Sequence, residues 1–131
     1  MSVFADTSAL YALLDAGDEH HARAAVAIGL LRERADQLVT HSYVVVETSA
    51  LAQRRLPAEA QPALFQELLA VVEVVMVEPQ LHAAGVAALL GAPAGPSLVD
   101  QGSFALMRER GIDTAFAFDA DFGKAGFAVG P

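Results

Sequence analysis

The sequence alternates short apolar runs with longer segments of helical pattern, and this alternation most constrains the fold. Four runs read as strands, SVFA (2–5), QLVT (37–40), VEVVMV (72–77) and TAFAF (114–118), and FAVG (127–130) reads as a last short one. Because strands separated by helices usually pair in parallel, the pattern predicts an α/β fold with a mostly parallel central sheet. Such sheets carry their functional groups at the carboxyl ends of the strands.

Six segments between these runs have helical patterns: 7–17, 18–35, 42–55, 58–70, 79–91 and 97–111. We expect Thr7 or Ser8 to cap the first helix and Pro62 to sit in the first turn of the fourth. The valines at the start of segment 42–55 make a strand a rival there. The run VVEVVMV (71–77) is expected to belong to the core. We see neither an internal repeat nor a linker, so we expect a single domain over residues 1–131.

The composition excludes several classes of protein. Hydrophobic residues make up 54% and charged residues 18%, which indicates a packed globule. There is no apolar run long enough for a membrane span and no basic segment typical of a signal peptide, so we expect a cytoplasmic protein without a membrane partner. The absence of cysteine excludes disulfides, thiolate zinc sites and a cysteine nucleophile.

The charge is acidic, with 16 Asp and Glu against 8 Lys and Arg. This balance argues against nucleic-acid binding through bulk charge. It still permits a nucleic-acid enzyme whose carboxylates are neutralised by metal ions, and it leaves room for a basic partner. Arg54 and Arg55 could touch a phosphate, or could simply end a solvated helix.

Common catalytic motifs are missing from the sequence. The four histidines have no HExxH spacing, and most are expected at the surface. There is no G-x-S-x-G elbow, P-loop or G-x-G-x-x-G. Acidic residues are therefore the candidates for chemistry.

Asp100 lies on the apolar stripe of its helix, together with Phe104 and Met107. Taking an isolated ionised carboxylate out of water costs several kcal/mol unless something compensates for it. A local explanation is that Ser97-x-x-Asp100 forms a capping box near the positive end of the helix dipole. The other explanation is a partner elsewhere in the chain.

Four further acids occupy positions that also have ordinary structural explanations. Asp6 follows the first strand and could cap a helix, and Asp119 follows the TAFAF strand, where turns favour Asp. Asp121 is expected at the rim, with Asp119 pointing inward. Glu47 interrupts an apolar face of its helix, or lies at a solvated edge of it.

Together, these acids suggest convergence at one edge of the sheet. Clustered carboxylates repel one another and have raised pKa values unless a cation is present. An all-oxygen cluster suits Mg²⁺ or Mn²⁺. We therefore predict a divalent-metal site formed by Asp6, Glu47, Asp100 and Asp119, with Asp121 as an alternative ligand.

Four stretches of the chain resemble the characteristic blocks of PIN-domain proteins, especially the VapC-like toxins of toxin–antitoxin pairs. These are FADTSALYALLD, THSYVVVETSAL, SLVDQGSFALMRERGI and TAFAFDADFGKAGF, which occur in the family's order and cover nearly the whole chain.

The resemblance implies a three-layer α/β/α fold and an endoribonuclease that depends on Mg²⁺ or Mn²⁺. It implies catalytic and metal-binding roles for Asp6, Glu47, Asp100 and Asp119, and a supporting role for Ser8. It also implies an RNA substrate, a homodimer and a small cognate antitoxin. One departure is His41, where the family often has Thr, and Ser42 is a candidate to replace that hydroxyl.

Three other functions stay open at this point. A phosphoacceptor receiver domain also has an acidic Mg²⁺ pocket, but Lys124, the only lysine, is poorly placed for it. A PIN-fold binding module would work through a partner with little catalysis. A metal-dependent DNA nuclease would differ only in its substrate.

Overall fold

A five-stranded sheet forms the centre of the computed structural model, which describes residues 1–130. Its strands are β1 (Ser2–Ala5), β2 (Gln37–His41), β3 (Val72–Val75), β4 (Thr114–Phe116) and β5 (Ala128–Val129). They lie in the order β3-β2-β1-β4-β5, and each neighbouring pair is parallel. The predicted α/β class with a parallel central sheet is confirmed.

Seven helices connect the described strands, six at or near the predicted positions and a seventh, over 121–124, where the sequence predicted none. They are α1 (Thr7–Leu14), α2 (His21–Glu33), α3 (Ser42–Arg55), α4 (Ala60–Pro62), α5 (Pro79–Gly91), α6 (Leu98–Arg110) and α7 (Asp121–Lys124). α4 continues into a π-helical turn (Ala63–Leu68) and a 3-10 turn (Leu69–Val71). The sequence predicted one ordinary helix here, because apolar spacing does not distinguish these turns from α-helix.

The strand order creates a switch point between β1 and β4. The chain moves outward from β1 to β2 and β3, and then crosses back past β1 to form β4. Right-handed crossovers in opposite directions place their helices on opposite faces of the sheet, which gives the three-layer α/β/α arrangement. Ligands in such folds bind outside the carboxyl ends of the strands that flank the switch point.

The core fixes α6 against the sheet. Phe104 and Met107 of α6 are 3% and 0% exposed, as their apolar stripe predicted. The Phe104 ring meets the Phe122 ring edge-on, with centroids 5.0 Å apart, and Phe122 stacks on Phe4 of β1. Asp100, which lies one turn before Phe104, is thereby held over the carboxyl edge of the sheet.

Two local predictions are wrong. The segment 71–77 is not wholly core, because β3 is an edge strand and Val71 and Met76 are 55% and 65% exposed. The first helix is capped by Asp6, not by Thr7 or Ser8, because Asp6 keeps an extended backbone and its carboxylate accepts the Ser8 amide.

Over residues 1–130, the helices are all too short or too polar to cross a membrane.

Candidate metal centre

Asp6 is held in place at the carboxyl end of β1. Its amide donates to the carbonyl of Phe116 in β4 at 3.0 Å, across the switch point. Its Oδ2 accepts the Ser8 hydroxyl at 2.7 Å and the Ser8 amide at 3.2 Å. The carboxyl group is buried, with the residue 2% exposed. Asp6 is therefore both the cap of α1 and a fixed carboxylate at the predicted edge.

The surroundings of Asp6 disfavour a lone negative charge. Burial raises the pKa of the Asp6 carboxyl above its usual range, and the negative charge of Asp119 raises it further. Hydrogen bonds from Ser8 and Thr7 oppose this shift without cancelling it. A cation beside Asp6 would restore the ionised form.

Asp100 faces the same edge from the first turn of α6. Ser97 caps this helix by accepting the Asp100 amide at 3.2 Å, which confirms the predicted cap. Partial burial raises the pKa of the Asp100 carboxyl to about 7, and the charges of Asp6, Asp119 and Glu47 add to the shift. The local cap and the electrostatic coupling to distant acids therefore coexist.

Asp119 and Asp121 follow β4 in a short turn. The Asp121 amide donates to Asp119 Oδ1 at 2.8 Å. Single carboxylate oxygens of Asp100, Asp119 and Asp121 all lie within 4.8 Å of one another. This spacing allows one cation to contact ligands from α6 and from the turn after β4.

These acids surround one cavity of about 300 Å³. Its walls combine the ends of β1 and β4 with α3 and the start of α6, and its lining residues are Asp6, Thr7, Ser8, Glu47, Leu51, Ser97, Asp100 and Asp119. The structure thus brings together the four acids that the sequence singled out, and Ser8 with them. Asp121 is outside this lining but within reach of Asp100 and Asp119.

A buried hydroxyl in the cavity wall was not anticipated from the sequence. Thr7 is 6% exposed, and within residues 1–130 its Oγ1 is the buried side-chain polar atom that has no hydrogen-bond partner. An unsatisfied buried hydroxyl costs about 1–3 kcal/mol, and a polar ligand that reached it would recover this free energy. Carboxylates, a hydroxyl and shared negative charge form a donor set that fits Mg²⁺ or Mn²⁺.

His41 is the other residue whose role the sequence did not predict. It is 0% exposed, unlike the surface position expected for most histidines, and its Nδ1 accepts the Val44 amide as the cap of α3. Its Nε2 is 2.9 Å from Ser103 Oγ on α6. His41 itself therefore supplies the cap. Ser42 accepts the Val77 amide instead, so the idea that it replaces a threonine at the site is wrong.

Comparison with known proteins identifies relatives over nearly the whole chain. A family model described as PIN domain matches residues 3–128. Two curated relatives, from two strains of Mycobacterium tuberculosis, are 37% identical over 127 residues, which is 95% of this chain and 95% of theirs. Both are named 23S rRNA-specific endonuclease VapC20.

Solved structures agree with these matches. The crystal structure of M. tuberculosis VapC20, described as a sarcin-ricin loop cleaving toxin, has a TM-score of 0.85 and 36% identity, covering 98% of this chain and 99% of that one. The VapBC2 complex of Rickettsia felis, bound to a DNA fragment from its promoter, contains a chain with a TM-score of 0.68. That match covers 98% of this chain and 97% of the other, and at 12% identity it shows a shared fold.

Proposed function

Because the chain belongs to the PIN-domain family, we propose that it is a divalent-metal-dependent endoribonuclease and the toxin of a type II toxin–antitoxin pair. The observation that carries this proposal is the meeting of Asp6, Glu47, Asp100 and Asp119 around one cavity, from four separate elements of the fold. Helix capping alone would explain Asp6, but it explains neither Glu47 nor the mutual coupling of the four charges.

The proposed substrate is 23S rRNA, at its sarcin-ricin loop. The support is the 37% identity, spread over 95% of both chains, to relatives named for this activity. The open cavity suits a phosphodiester of a loop, because single-stranded loops present their backbone and bases to a protein surface.

The proposed cofactor is Mg²⁺ or Mn²⁺, held by Asp6, Asp100 and Asp119, with Asp121 as the alternative to Asp119. Glu47 completes the ligand set, directly or through water. When bound, such an ion supplies Lewis acidity, which activates water and offsets charge at the phosphate.

The protein's own groups prepare this chemistry. Ser8 fixes one oxygen of Asp6, so the other oxygen is available to the cavity. Glu47, half-buried on α3, is the carboxylate that we assign to orienting the attacking water when it is not itself a ligand. The hydrolysis needs no side-chain nucleophile, and the site offers only acids and hydroxyls.

We further propose a small cognate antitoxin, a homodimeric state and a cytoplasmic location, where ribosomal RNA is found. The net charge of −8 supports a basic protein partner. Light scattering on the purified protein tests the dimer, and co-purification with the product of a neighbouring reading frame tests the antitoxin.

The decisive experiment is cleavage of a stem-loop RNA that carries the sarcin-ricin loop. Purified protein is compared with Mn²⁺, with Mn²⁺ and excess chelator, and as the Asp100→Asn variant. The matched control is Asp113→Asn, because Asp113 is exposed at the amino end of β4, on the opposite edge of the sheet.

We expect cutting by the parent and the control with Mn²⁺, and none with chelator or in Asp100→Asn. Cutting that survives both chelator and Asp100→Asn would contradict the proposal. A DNA oligonucleotide of the same sequence is run in parallel, and preferential cutting of DNA would identify a DNA nuclease instead. No cutting of either nucleic acid together with no Mn²⁺ binding would indicate a binding module.

A further inference from the structure

We infer that Arg23 and Arg55 bind phosphates of the RNA on two sides of the acidic cavity. This inference rests on the proposed ribonuclease function. It addresses a specific difficulty: the chain carries a net charge of −8, and the proposed active site is itself acidic, yet the substrate is a polyanion. Local cations beside the cavity are therefore needed to hold RNA.

Arg55 is in the last turn of α3 and lies against α1. It follows Leu51, which lines the cavity, by one helical turn. Its guanidinium carbon lies 5.6 Å from the centroid of the Tyr11 ring. Tyr11 is 6% exposed and one turn beyond Thr7, and its hydroxyl donates to Asp15 at 2.8 Å, so this ring is a fixed support.

Arg23 belongs to α2 and reaches the chain that follows β4, where it lines another cavity together with Phe118. Its guanidinium carbon lies 5.4 Å from the centroid of the Phe118 ring. The His20 ring stacks on Phe118 at 4.5 Å with an interplanar angle of 1°. The Phe118 amide donates to Ser8 Oγ at 2.9 Å, and Phe118 directly precedes Asp119. Phe118, which lies under Arg23, is therefore hydrogen-bonded to the same Ser8 hydroxyl that donates to Asp6.

Neither arginine forms an ion pair among residues 1–130, although Arg55 also interacts with the Tyr11 hydroxyl. Both arginines are exposed, and the ion pairs among residues 1–130 are Met1–Asp36, His20–Glu19 and Arg110–Glu73, none of which uses Arg23 or Arg55. Stacking on an aromatic ring leaves the guanidinium N–H groups available while it restricts side-chain motion, which suits bidentate binding of phosphate.

The third arginine that lies over aromatic rings has a different surrounding. Arg108 lies over Phe104 and Phe127, but it also donates to the Ala125 carbonyl and sits in the last turn of α6, far along the helix from Asp100. Arg108 therefore lacks the feature that Arg23 and Arg55 share, which is an aromatic support that is next to, or one turn from, a residue lining the acidic cavity.

The test measures binding of the sarcin-ricin stem-loop RNA as a function of salt. Binding is measured by fluorescence anisotropy in an Asp100→Asn background, so that cleavage does not interfere. Arg23→Gln and Arg55→Gln are compared with Arg34→Gln, a matched control at the exposed end of α2, where the chain enters the amino end of β2. Thermal unfolding checks that each variant is folded.

We expect each of the two variants to weaken binding about tenfold and to reduce the slope of log affinity against log salt by about 0.7, as loss of one phosphate contact requires for single-stranded RNA. Arg34→Gln should change neither quantity. Arg23→Lys and Arg55→Lys keep the charge and should restore most of the slope. In the active protein, the same Gln substitutions should raise KM and leave kcat within about twofold.

An unchanged salt slope in a folded Arg23→Gln or Arg55→Gln variant would overturn the inference. Failure of the proposed function gives a different result. If the parent cuts no RNA but the arginine variants still lose RNA binding, then Arg23 and Arg55 bind RNA and the nuclease assignment is wrong. If cutting depends on Asp100 and both variants bind RNA like the parent, the function stands and the phosphates contact other groups.

Discussion

Ser8 places two hydrogen bonds on the same oxygen of Asp6, with its hydroxyl at 2.7 Å and its amide at 3.2 Å from Oδ2. The Ser8 hydroxyl also accepts the Phe118 amide at 2.9 Å. One side chain therefore joins the end of β1 to the chain that leaves β4. It sets the relative positions of Asp6 and Asp119, which are proposed to share a cation.

The Ser8→Ala substitution is expected to weaken Mn²⁺ binding about tenfold, because groups that orient metal ligands typically contribute 10–100-fold to affinity. The loss should appear in isothermal titration with Mn²⁺ alone, without any RNA. Ser49→Ala is the matched control, since Ser49 donates to Gln61 on the far side of α3 and does not line the cavity. Equal Mn²⁺ affinity in Ser8→Ala and the parent would contradict this role.

The raised pKa of Asp100 predicts that this residue contributes less to the stability of the metal-free protein at neutral pH than at acid pH. In the folded protein the Asp100 carboxyl titrates at about 7, whereas in the unfolded chain it titrates near its ordinary value of 3.8. At a pH between these two pKa values, the folded protein keeps the proton on Asp100 that the unfolded chain has lost. The stabilising contribution is therefore complete below the lower value and is lost as the pH rises through about 7.

Urea denaturation of chelator-treated protein checks this prediction. Asp100→Asn should be more stable than the parent near pH 8 and should differ much less near pH 4, because Asn lacks the charge. Addition of Mg²⁺ at the higher pH should stabilise the parent and not the variant. If Asp100→Asn raised the free energy of unfolding equally at both pH values, the charge of Asp100 would not be the cause.

The burial of His41 predicts a contribution to stability that changes with pH in the opposite direction to that of Asp100. Burial lowers the pKa of its imidazole to about 4, from an ordinary value of 6.5 in the unfolded chain. In this interval the unfolded state binds the extra proton, so the contribution of His41 is complete above the upper value and is lost as the pH falls toward 4. From pH 7 to pH 5 the loss is about 2 kcal/mol.

The His41→Gln variant isolates this contribution. It should be less stable than the parent near pH 7, because it loses the cap of α3 and the Ser103 hydrogen bond, and the difference should shrink near pH 5. His82→Gln is the control, since His82 is exposed on α5 and should leave the pH dependence unchanged. A constant difference between parent and His41→Gln across this range would mean that His41 does not titrate with unfolding.

Much of the fold followed from patterns that are local in sequence. β1 and β2 are short apolar runs whose parallel pairing follows from the helices between them. The burial of Phe104 and Met107 followed from spacing within one helix. The edge position of β3 did not follow, because VEVVMV is as apolar as a central strand and strand order depends on contacts between distant segments.

In the candidate metal centre, too, features that are local in sequence were predictable and features that join distant segments were not. The positions of Asp6 and Asp119 at strand ends indicated an edge where carboxylates meet, and the cavity lies there. The role of His41 could not be predicted, because its capping of α3 is local but its contact with Ser103 joins residues 62 positions apart. Its place at a junction between strand and helix was the one available signal.

The Thr7 hydroxyl gives a prediction in which stability and activity change in opposite directions. Its Oγ1 is buried in the cavity wall and, among residues 1–130, has no protein partner. Thr7→Val removes an unsatisfied polar group while it keeps the branched shape, and should raise the free energy of unfolding of the metal-free protein by about 1 kcal/mol. If the hydroxyl contacts the hydrated ion or the phosphate, the same change should lower RNA cleavage about tenfold.

The paired readouts separate a ligand-binding role from a packing role. Thr7→Ser keeps the hydroxyl and should keep most of the activity, although it removes a buried methyl group and should cost about 1 kcal/mol of stability. A group that serves only packing would give the reverse order, with Val active and Ser impaired. Higher stability together with full activity in Thr7→Val would therefore show that the orphan hydroxyl has no part in the reaction. Lower activity in the more stable variant would place Thr7 among the groups that meet the ligand.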